Sequence, residues 1–344
     1  MTRLDPDLSG LFAGDPRSGG GPLSPLHRDL PGEVFRAGGP AREHGPHDDQ
    51  ARRSSRRWAA AGGDIPERGA IIDKYRLEEI LGVGGFAVVY RATHLLLRAP
   101  VALKLLRPKV VQNRPRLAEL LCEEARFAAQ INHPNVVRVY DVTHTDKVTY
   151  VVMEFIDGLT LAETIARKGA LPPRRVIEIG LDVCAGLRAG LDQGLVHRDV
   201  KPANILITST GIAKIVDLGL AQPDVTSGLR SEGQGANFVG TPGYMAPEQA
   251  QNADRVDFRA DIYGLGVTLY HAAVGQPPFP LEDKRQVLVL HRTEPVPPPR
   301  QVRPSVPEGL SRLLLWMLAK DPAQRPPSYE MLMAELKGLI LGMV

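Results

Sequence analysis

The chain has 344 residues, 43% hydrophobic and 24% charged, with a formal net charge of +3. That length suffices for one large domain, or two modest ones, with tails. So slight a charge argues against nucleic acid or a membrane surface as a partner, and the sequence holds neither a run of eighteen apolar residues nor an N-terminal apolar h-region, so no membrane segment or signal peptide is expected.

Residues 1 to about 70 stand apart. They hold 12 Gly, 8 Pro, 10 Arg and 10 acids, with only three aromatics, Phe12, Phe35 and Trp58. Such a stretch buries too little apolar surface to offset chain entropy, and 1–70 is expected to be disordered. Within it "RRSSRRW", Arg52 to Trp58, reads as a solvated linker or as a docking or phosphorylation patch.

From Tyr75 the pattern alternates. "YRLEEILG", "AVVYRATH" and "PVALKLL" predict three strands, "PRLAELLCEEARFAAQI" a helix, and "NVVRVYDVTH" and "VTYVVMEFI" two more strands. After Gly158 the chain becomes mostly helical. "TLAE", Thr160 to Glu163, fits a capping box, and a long amphipathic helix follows with Pro at its start and Gly at its end. Helical patterns return at "FRADIYGLGVTLYHAAVG", "GLSRLLLWMLA" and "SYEMLMAELKGLILGM". A small five-stranded lobe with one main helix, about 75–156, then precedes a larger helical lobe, about 157–340. Cys122 and Cys184 fall far apart in helical patterns, which fits a reducing, cytoplasmic setting.

Several short stretches carry chemistry. "LGVGGFAVVY", Leu81 to Tyr90, joins two strands through Gly82, Gly84 and Gly85. Glycines there let a backbone close over a ligand and offer N–H groups to phosphate; taken alone, the stretch is equally a plain hairpin. Lys104 ends an apolar strand in a chain with 32 Arg and 10 Lys, where it either snorkels or meets phosphates with Glu124 of the next helix as its partner. "VHRDVKPANI" gathers Asp199, Lys201 and Asn204 between two apolar runs, and twelve residues beyond "HRDVKPANI" comes "KIVDLGLA" with Asp217. Unpaired charges near a core cost several kcal/mol, so these groups satisfy one another or await a charged ligand. Two carboxylates and an amide suit a hard divalent cation and a hydroxyl substrate.

The order glycine loop, VALK, helix Glu, HRDxKxxN, DLG, APE resembles the protein kinase signature set, most closely that of the bacterial eukaryotic-like Ser/Thr kinases, over about Tyr75 to Leu339. The resemblance implies an α+β, bilobal kinase fold with a five-stranded antiparallel N-lobe and a mostly helical C-lobe. It implies ATP and Mg²⁺, and protein substrates carrying Ser or Thr. Gly82, Val83, Gly84 and Gly85 would cover the ATP phosphates. Lys104 would contact the α- and β-phosphates, paired with Glu124. Asp199 would act as base, Lys201 would steady the γ-phosphate, and Asn204 and Asp217 would hold Mg²⁺. Leu81, Val89, Ala102, Met153 and Leu206 fall where the family sandwiches adenine, with Glu154 and Ile156 on the hinge and Met153 as gatekeeper. Glu248 with Arg325, Asp261 and His133 match fold supports. Thr241 would bridge Asp199 and Lys201.

Two departures stand out: Ala87 replaces the third glycine of the loop, and Leu218 replaces the Phe of DFG. Neither removes a required charge. A pseudokinase scaffold would lack a Lys, an Asp or a metal ligand, and none is missing. Small-molecule phosphotransferases of the distantly related kind usually lack "GTPGYMAPE" and the Glu248–Arg325 partnership. Arg198 before Asp199 suggests control by a phosphate on Thr226, Ser227 or Ser231, with dimerisation or a partner as the other route.

Overall fold

The computed structural model describes residues 65–113, 115–145, 148–218, 242–251, 256–279 and 283–342. The 52–58 patch and the hydroxyls of Thr226, Ser227, Ser231 and Thr241 lie outside them.

Alternation from Tyr75 onward builds an antiparallel sheet: β1 (Ile71–Ile72), β2 (Tyr75–Val83), β3 (Ala87–His94), β4 (Pro100–Leu106), β5 (Val139–His144) and β6 (Thr149–Glu154), in the spatial order β1-β2-β3-β4-β6-β5. Successive side chains in a strand point to opposite faces, and here the two faces bury two different cores. Val88, Tyr90, Val101, Leu103, Leu105, Tyr150 and Val152 share one cluster. Ala87, Ala102, Leu106, Val151 and Met153 share the other, with Val89 packed against it. Lys104 is in phase with this second set. α1 (Pro108–Asn113) and α2 (Pro115–Ala128) follow β4, and α2 seats Ala118, Leu121 and Ala125 on that face.

The sheet has six strands where five were expected, and order begins before Tyr75. Ile65 and Ala70 pack on the first cluster. The Tyr90 hydroxyl donates to the Pro66 carbonyl at 2.9 Å. Gly69 N–H donates to Leu77 O at 2.8 Å, and Leu77 N–H to Ala70 O at 2.9 Å. Residues 65–70 therefore belong to the folded domain and not to a disordered tail. The polar average of the preceding residues masked a short strap that contributes one buried proline and three backbone groups to the fold.

The second lobe begins with β7 (Gly158–Thr160) and α3 (Leu161–Lys168), which is opened by the expected capping box of Thr160 and Glu163. α4 (Pro173–Leu191) has Pro at its first turn. β8 (Ile205–Thr208) and β9 (Ala213–Ile215) pair with β7 in a second, three-stranded sheet. Strands this short leave little readable period, and the helical reading of this lobe missed β7 and β8. α5 (Pro247–Gln251), α6 (Arg259–Val274), α7 (Lys284–Thr293), α8 (Pro299–Val302), α9 (Glu308–Met317) and α10 (Tyr329–Leu341) complete it. Every residue of α6 from Ala260 to Tyr270 is buried. Among the described residues no helix is long and apolar enough to cross a membrane.

The expected Glu248–Arg325 pair is bidentate, with Nη1–Oε1 at 2.6 Å and Nη2–Oε2 at 2.8 Å. The Arg325 side chain is fully buried and its guanidinium lies 4.8 Å from the Tyr263 ring centroid. It also donates to the carbonyls of Arg259, Ala319 and Lys320. One arginine thus ties α5, α6 and the loop before α10, with its donors satisfied as a buried cation demands.

A chain beginning at Ile71 should be less stable than one beginning at Ile65. It loses the buried Pro66, the Ile65 packing and the Tyr90 hydrogen bond, together about 2 kcal/mol. Calorimetry of the two should show a Tm lower by roughly 4–8 °C, and equal melting would show that the strap contributes nothing.

Candidate active site

The turn from β2 to β3 is built from glycine for closeness. Gly84 N–H donates to Ala87 O at 2.8 Å, and a Cβ on Gly84 would sit 3.3 Å from that oxygen. Around Gly82 and Gly85 there is open space. A bulge between Ile80 and Gly82 shifts the register as the strand enters the turn. Leu81 and Val83 flank it with 47% and 58% of their surface exposed. Ala87, which replaces the third glycine, is buried in the second cluster, so its methyl group is accommodated by packing.

Register then sets the floor of the cleft. Val89 pairs with Lys104 across β3 and β4, and Ala102 with Met153 across β4 and β6. Ala102 and Met153 belong to one apolar cluster, and Val89, Ile156 and Leu206 pack against it. Leu206 comes from β8, so both lobes wall the same apolar slot. Glu154 ends β6 with its carboxylate held by Lys214 Nζ of β9 at 3.0 and 2.9 Å. Its backbone N–H donates to Arg138 O at 2.8 Å. Sequence reasoning passed over Lys214, which stands one residue before Ile215 with nothing local to mark it.

Lys104 Nζ reaches Asp217 Oδ1 at 2.8 Å. The sequence suggested Glu124 as its partner, and here the structure differs: Asp217 has φ 56°, and this left-handed turn carries its carboxylate to the ammonium. Glu124 is 3% exposed, in phase with Leu121 and Ala128 on the inner side of α2 rather than on the solvent side. A recess is lined by Lys104, Glu124, Met153, Asp217 and Leu218. Leu218 is buried, seated where a Cβ on Gly190 of α4 would come within 2.7 Å of its Cδ2, so any side chain there would push Leu218 aside.

The loop between α4 and β8 brings the other charges together. Asp199 Oδ2 accepts from Lys201 Nζ at 2.6 Å and from Asn204 Nδ2 at 3.0 Å. Asn204 Nδ2 also donates to Asp199 O at 2.9 Å. Val216 connects this loop to Asp217: its N–H donates to Asn204 O at 3.0 Å, and its carbonyl accepts from His197 Nε2 at 3.1 Å. The proton must be on Nε2, since a carbonyl only accepts, which leaves Nδ1 to accept from Asp199 N–H at 3.3 Å. Below the loop, Asp261 Oδ2 and Oδ1 take the N–H groups of His197 and Arg198 at 2.8 and 2.7 Å. His133, another expected support, accepts from Asn135 N–H at 3.2 Å.

The chain after residue 241 returns beside this loop as a 3-10 turn, Pro242–Tyr244. His291 of α7 donates from Nε2 to Gly243 O at 3.0 Å and accepts at Nδ1 from the Tyr263 hydroxyl at 2.8 Å. It is 1% exposed, and burial pushes its imidazole down to about 4.

The residues present fit a nucleotide with its metal. The backbone at Gly82 and Gly85 is open, and a lysine lies below. Asn204 Oδ1 and the second Asp217 oxygen are hard donors. No group of three or more His, Cys, Asp or Glu side chains able to cage a metal occurs among the described residues, as suits an ion held by one or two side chains and by substrate phosphates.

Fold and site together define the protein kinase class. The protein kinase domain family matches residues 75–336. The serine/threonine-protein kinase PknB of Mycobacterium tuberculosis is 40% identical over 258 residues, 74% of this chain and 41% of that protein. PknB of Mycolicibacterium smegmatis is 41% identical over 258 residues, with the same 74% and 41% coverage. A probable serine/threonine-protein kinase of Clostridium perfringens is 34% identical over 265 residues, 77% of this chain and 38% of that protein. The chain thus spans about two fifths of the length of the curated relatives it matches. Among solved structures, the kinase domain of Mycobacterium tuberculosis PknI superposes with a TM-score of 0.62 at 27% identity, covering 80% of this chain and 99% of that one. The chain belongs to the protein kinase family, in its bacterial, eukaryotic-like serine/threonine branch.

The lowered His291 value has a thermodynamic consequence. An unfolded histidine takes up a proton near pH 6.5, whereas the folded one resists until about pH 4. Stability is therefore lost as pH falls through that window, up to about 3 kcal/mol from this residue. Urea titrations at pH 4.5, 5.5 and 6.5 should show His291→Gln with a flatter dependence than the parent, by up to about one proton. Parallel curves would show that His291 titrates normally.

Proposed function

We propose that this chain transfers the γ-phosphate of ATP, with Mg²⁺, to serine and threonine hydroxyls of proteins, its own included. The observation that carries the reading is the double grip on one oxygen: Lys201 Nζ and Asn204 Nδ2 both hold Asp199 Oδ2. A carboxylate fixed this way has Oδ1 left for an incoming hydroxyl. It accepts the hydroxyl's hydrogen bond, orients the oxygen toward phosphorus, and takes the proton as transfer proceeds. Lys201, at 2.6 Å, fixes the carboxylate in place, and its ammonium would offset negative charge on a transferring phosphoryl group.

Lys104 and Asp217 neutralise each other across the cleft, and a nucleotide's phosphates and metal offer each a partner of opposite charge. Asn204 and Asp217 would hold the metal, which would offset the negative charge of the phosphates. Met153, Ala102, Val89 and Leu206 exclude water from the base side, and the glycine backbone closes over the phosphates. Catalysis of this kind is positioning and electrostatics in a site where water is scarce. The bidentate Glu248–Arg325 pair favours protein over small-molecule substrates. The buried free thiols of Cys122 and Cys184 suit a cytoplasmic setting. Control by a phosphate near Arg198 or by dimerisation remains part of the proposal.

Asp199→Asn should lower kcat by a hundredfold or more, about 3–4 kcal/mol in barrier, with the KM for ATP within a few fold. Lys104→Met should lose transfer to a similar degree and keep measurable nucleotide affinity through the apolar slot. Radiolabelled phosphate transfer to a basic protein and to the chain itself checks both. Parental autophosphorylation by Asp199→Asn would remove Asp199 as the base.

A further inference from the structure

We propose that Gln249 is a positioning residue for Asp199: its side-chain amide holds the peptide that joins Arg198 to Asp199 and couples it to residues 242–249. This rests on the kinase reading above.

That peptide has two polar atoms, and a side chain holds each. Its N–H, on Asp199, donates to His197 Nδ1 at 3.3 Å. Its carbonyl, on Arg198, accepts from Gln249 Nε2 at 2.8 Å. Arg198 has φ 62°, a left-handed conformation that side chains disfavour and that persists only where the surroundings enforce it. Asp261 enforces it from the N-terminal side through the Arg198 N–H at 2.7 Å, and Gln249 does so from the C-terminal side. Turning this peptide plane would swing Asp199 directly, because the next bond in the chain is its own N–Cα.

The other end of the amide is also used. Gln249 Oε1 accepts from Ala246 N–H at 2.9 Å. A backbone N–H only donates and a carbonyl only accepts, so the NH₂ group must face Arg198 and the oxygen Ala246. Glutamine is the one ordinary side chain of this length that supplies a donor and an acceptor at once. A movement of residues 242–249 is therefore felt at the carbonyl one residue before the base, with no other side chain between. The competing role is local: Gln249 merely caps the first turn of α5 through Ala246. The two roles use different atoms. Capping needs Oε1 alone, and positioning needs the Nε2 donor.

Gln249→Glu separates them. An ionised glutamate keeps an acceptor for Ala246 and loses the donor to Arg198 O. Once protonated, its O–H can donate to that carbonyl again. Gln249→Met, similar in length, has neither function at any pH. Steady-state kinetics with ATP and a basic protein should show Gln249→Glu with kcat reduced about tenfold or more at pH 8, and with the KM for ATP within twofold. Gln249→Met should show a deficit at least as large. Hydrogen exchange at the Asp199 amide should be faster in Gln249→Glu than in the parent at pH 8. Parental kcat in Gln249→Glu overturns the proposal. Should Gln249→Met fail to fold, Gln249→Glu, which keeps the cap, carries the test alone. A parent without turnover would sink the kinase reading, and the exchange arm would still decide Gln249: faster exchange supports the hold on the peptide, and unchanged exchange overturns it.

Discussion

Asp261 lies on a helix buried on every side, and its two carboxylate oxygens take the N–H groups of His197 and Arg198 at 2.8 and 2.7 Å. Burial pushes this carboxyl above the usual range, and the nearby His197 and the two backbone donors pull it back. A charge left unpaired there would cost several kcal/mol. The helix therefore cannot be seated without the loop, and the loop cannot adopt its left-handed turn at Arg198 without the helix. From this mutual requirement the site follows in order. His197 is turned so that Nε2 meets Val216 O, Val216 presents Asp217, and Asp217 meets Lys104.

The route of that chain explains how two lobes share one site. The Lys104 ammonium comes from a sheet whose face was chosen by strand alternation, and its partner comes from the other lobe. Leu206 of the second sheet packs on the cluster of the first, and Lys214 of the same sheet grips Glu154 at the end of β6. Apolar contact and two ion pairs thus span the junction. Ion pairs between half-exposed groups are worth little each, but these have side chains largely shielded, at 14% and 30% exposure for Lys104 and Asp217 and 15% and 26% for Lys214 and Glu154. They set geometry more than they add stability.

What the sequence made legible is what is dense and local. "HRDVKPAN" places an acid, a lysine and an amide within six residues, and the structure puts all three on one carboxylate oxygen. Strand alternation gave the face that Lys104 shares, and "TLAE" gave a capping box with both of its bonds. What escaped depends on distance in the chain or on brevity. Lys214 and Glu154 are 60 residues apart, and Gln249 and Arg198 are 51 apart, with no periodicity relating either pair. The strands β7 and β8 are too short to show a period, and 65–70 hid behind a Gly- and Pro-rich neighbourhood. For Lys104 the sequence pointed to Glu124, and a backbone turn at Asp217, invisible in the sequence, supplied the partner.

The wholly buried α6 has a consequence for the order in which the chain is made. Its neighbours include α4, before it, and α9, after it: a Cβ on Gly180 of α4 would touch Leu269, and one on Gly266 would touch Met317 of α9. Arg325, later still, donates to the carbonyl of Arg259, at the first turn of α6. While a ribosome is still adding residues 275–325, α6 has been synthesised and has no cover, and a helix apolar all round is insoluble in that state. The six-stranded sheet is complete by residue 154 and can close during synthesis, whereas the second lobe must wait for its last third. Nascent chains of this protein therefore pass through an interval in which a finished N-terminal lobe is tethered to an unfinished one, and the greasy middle of that second lobe is the natural target for a chaperone.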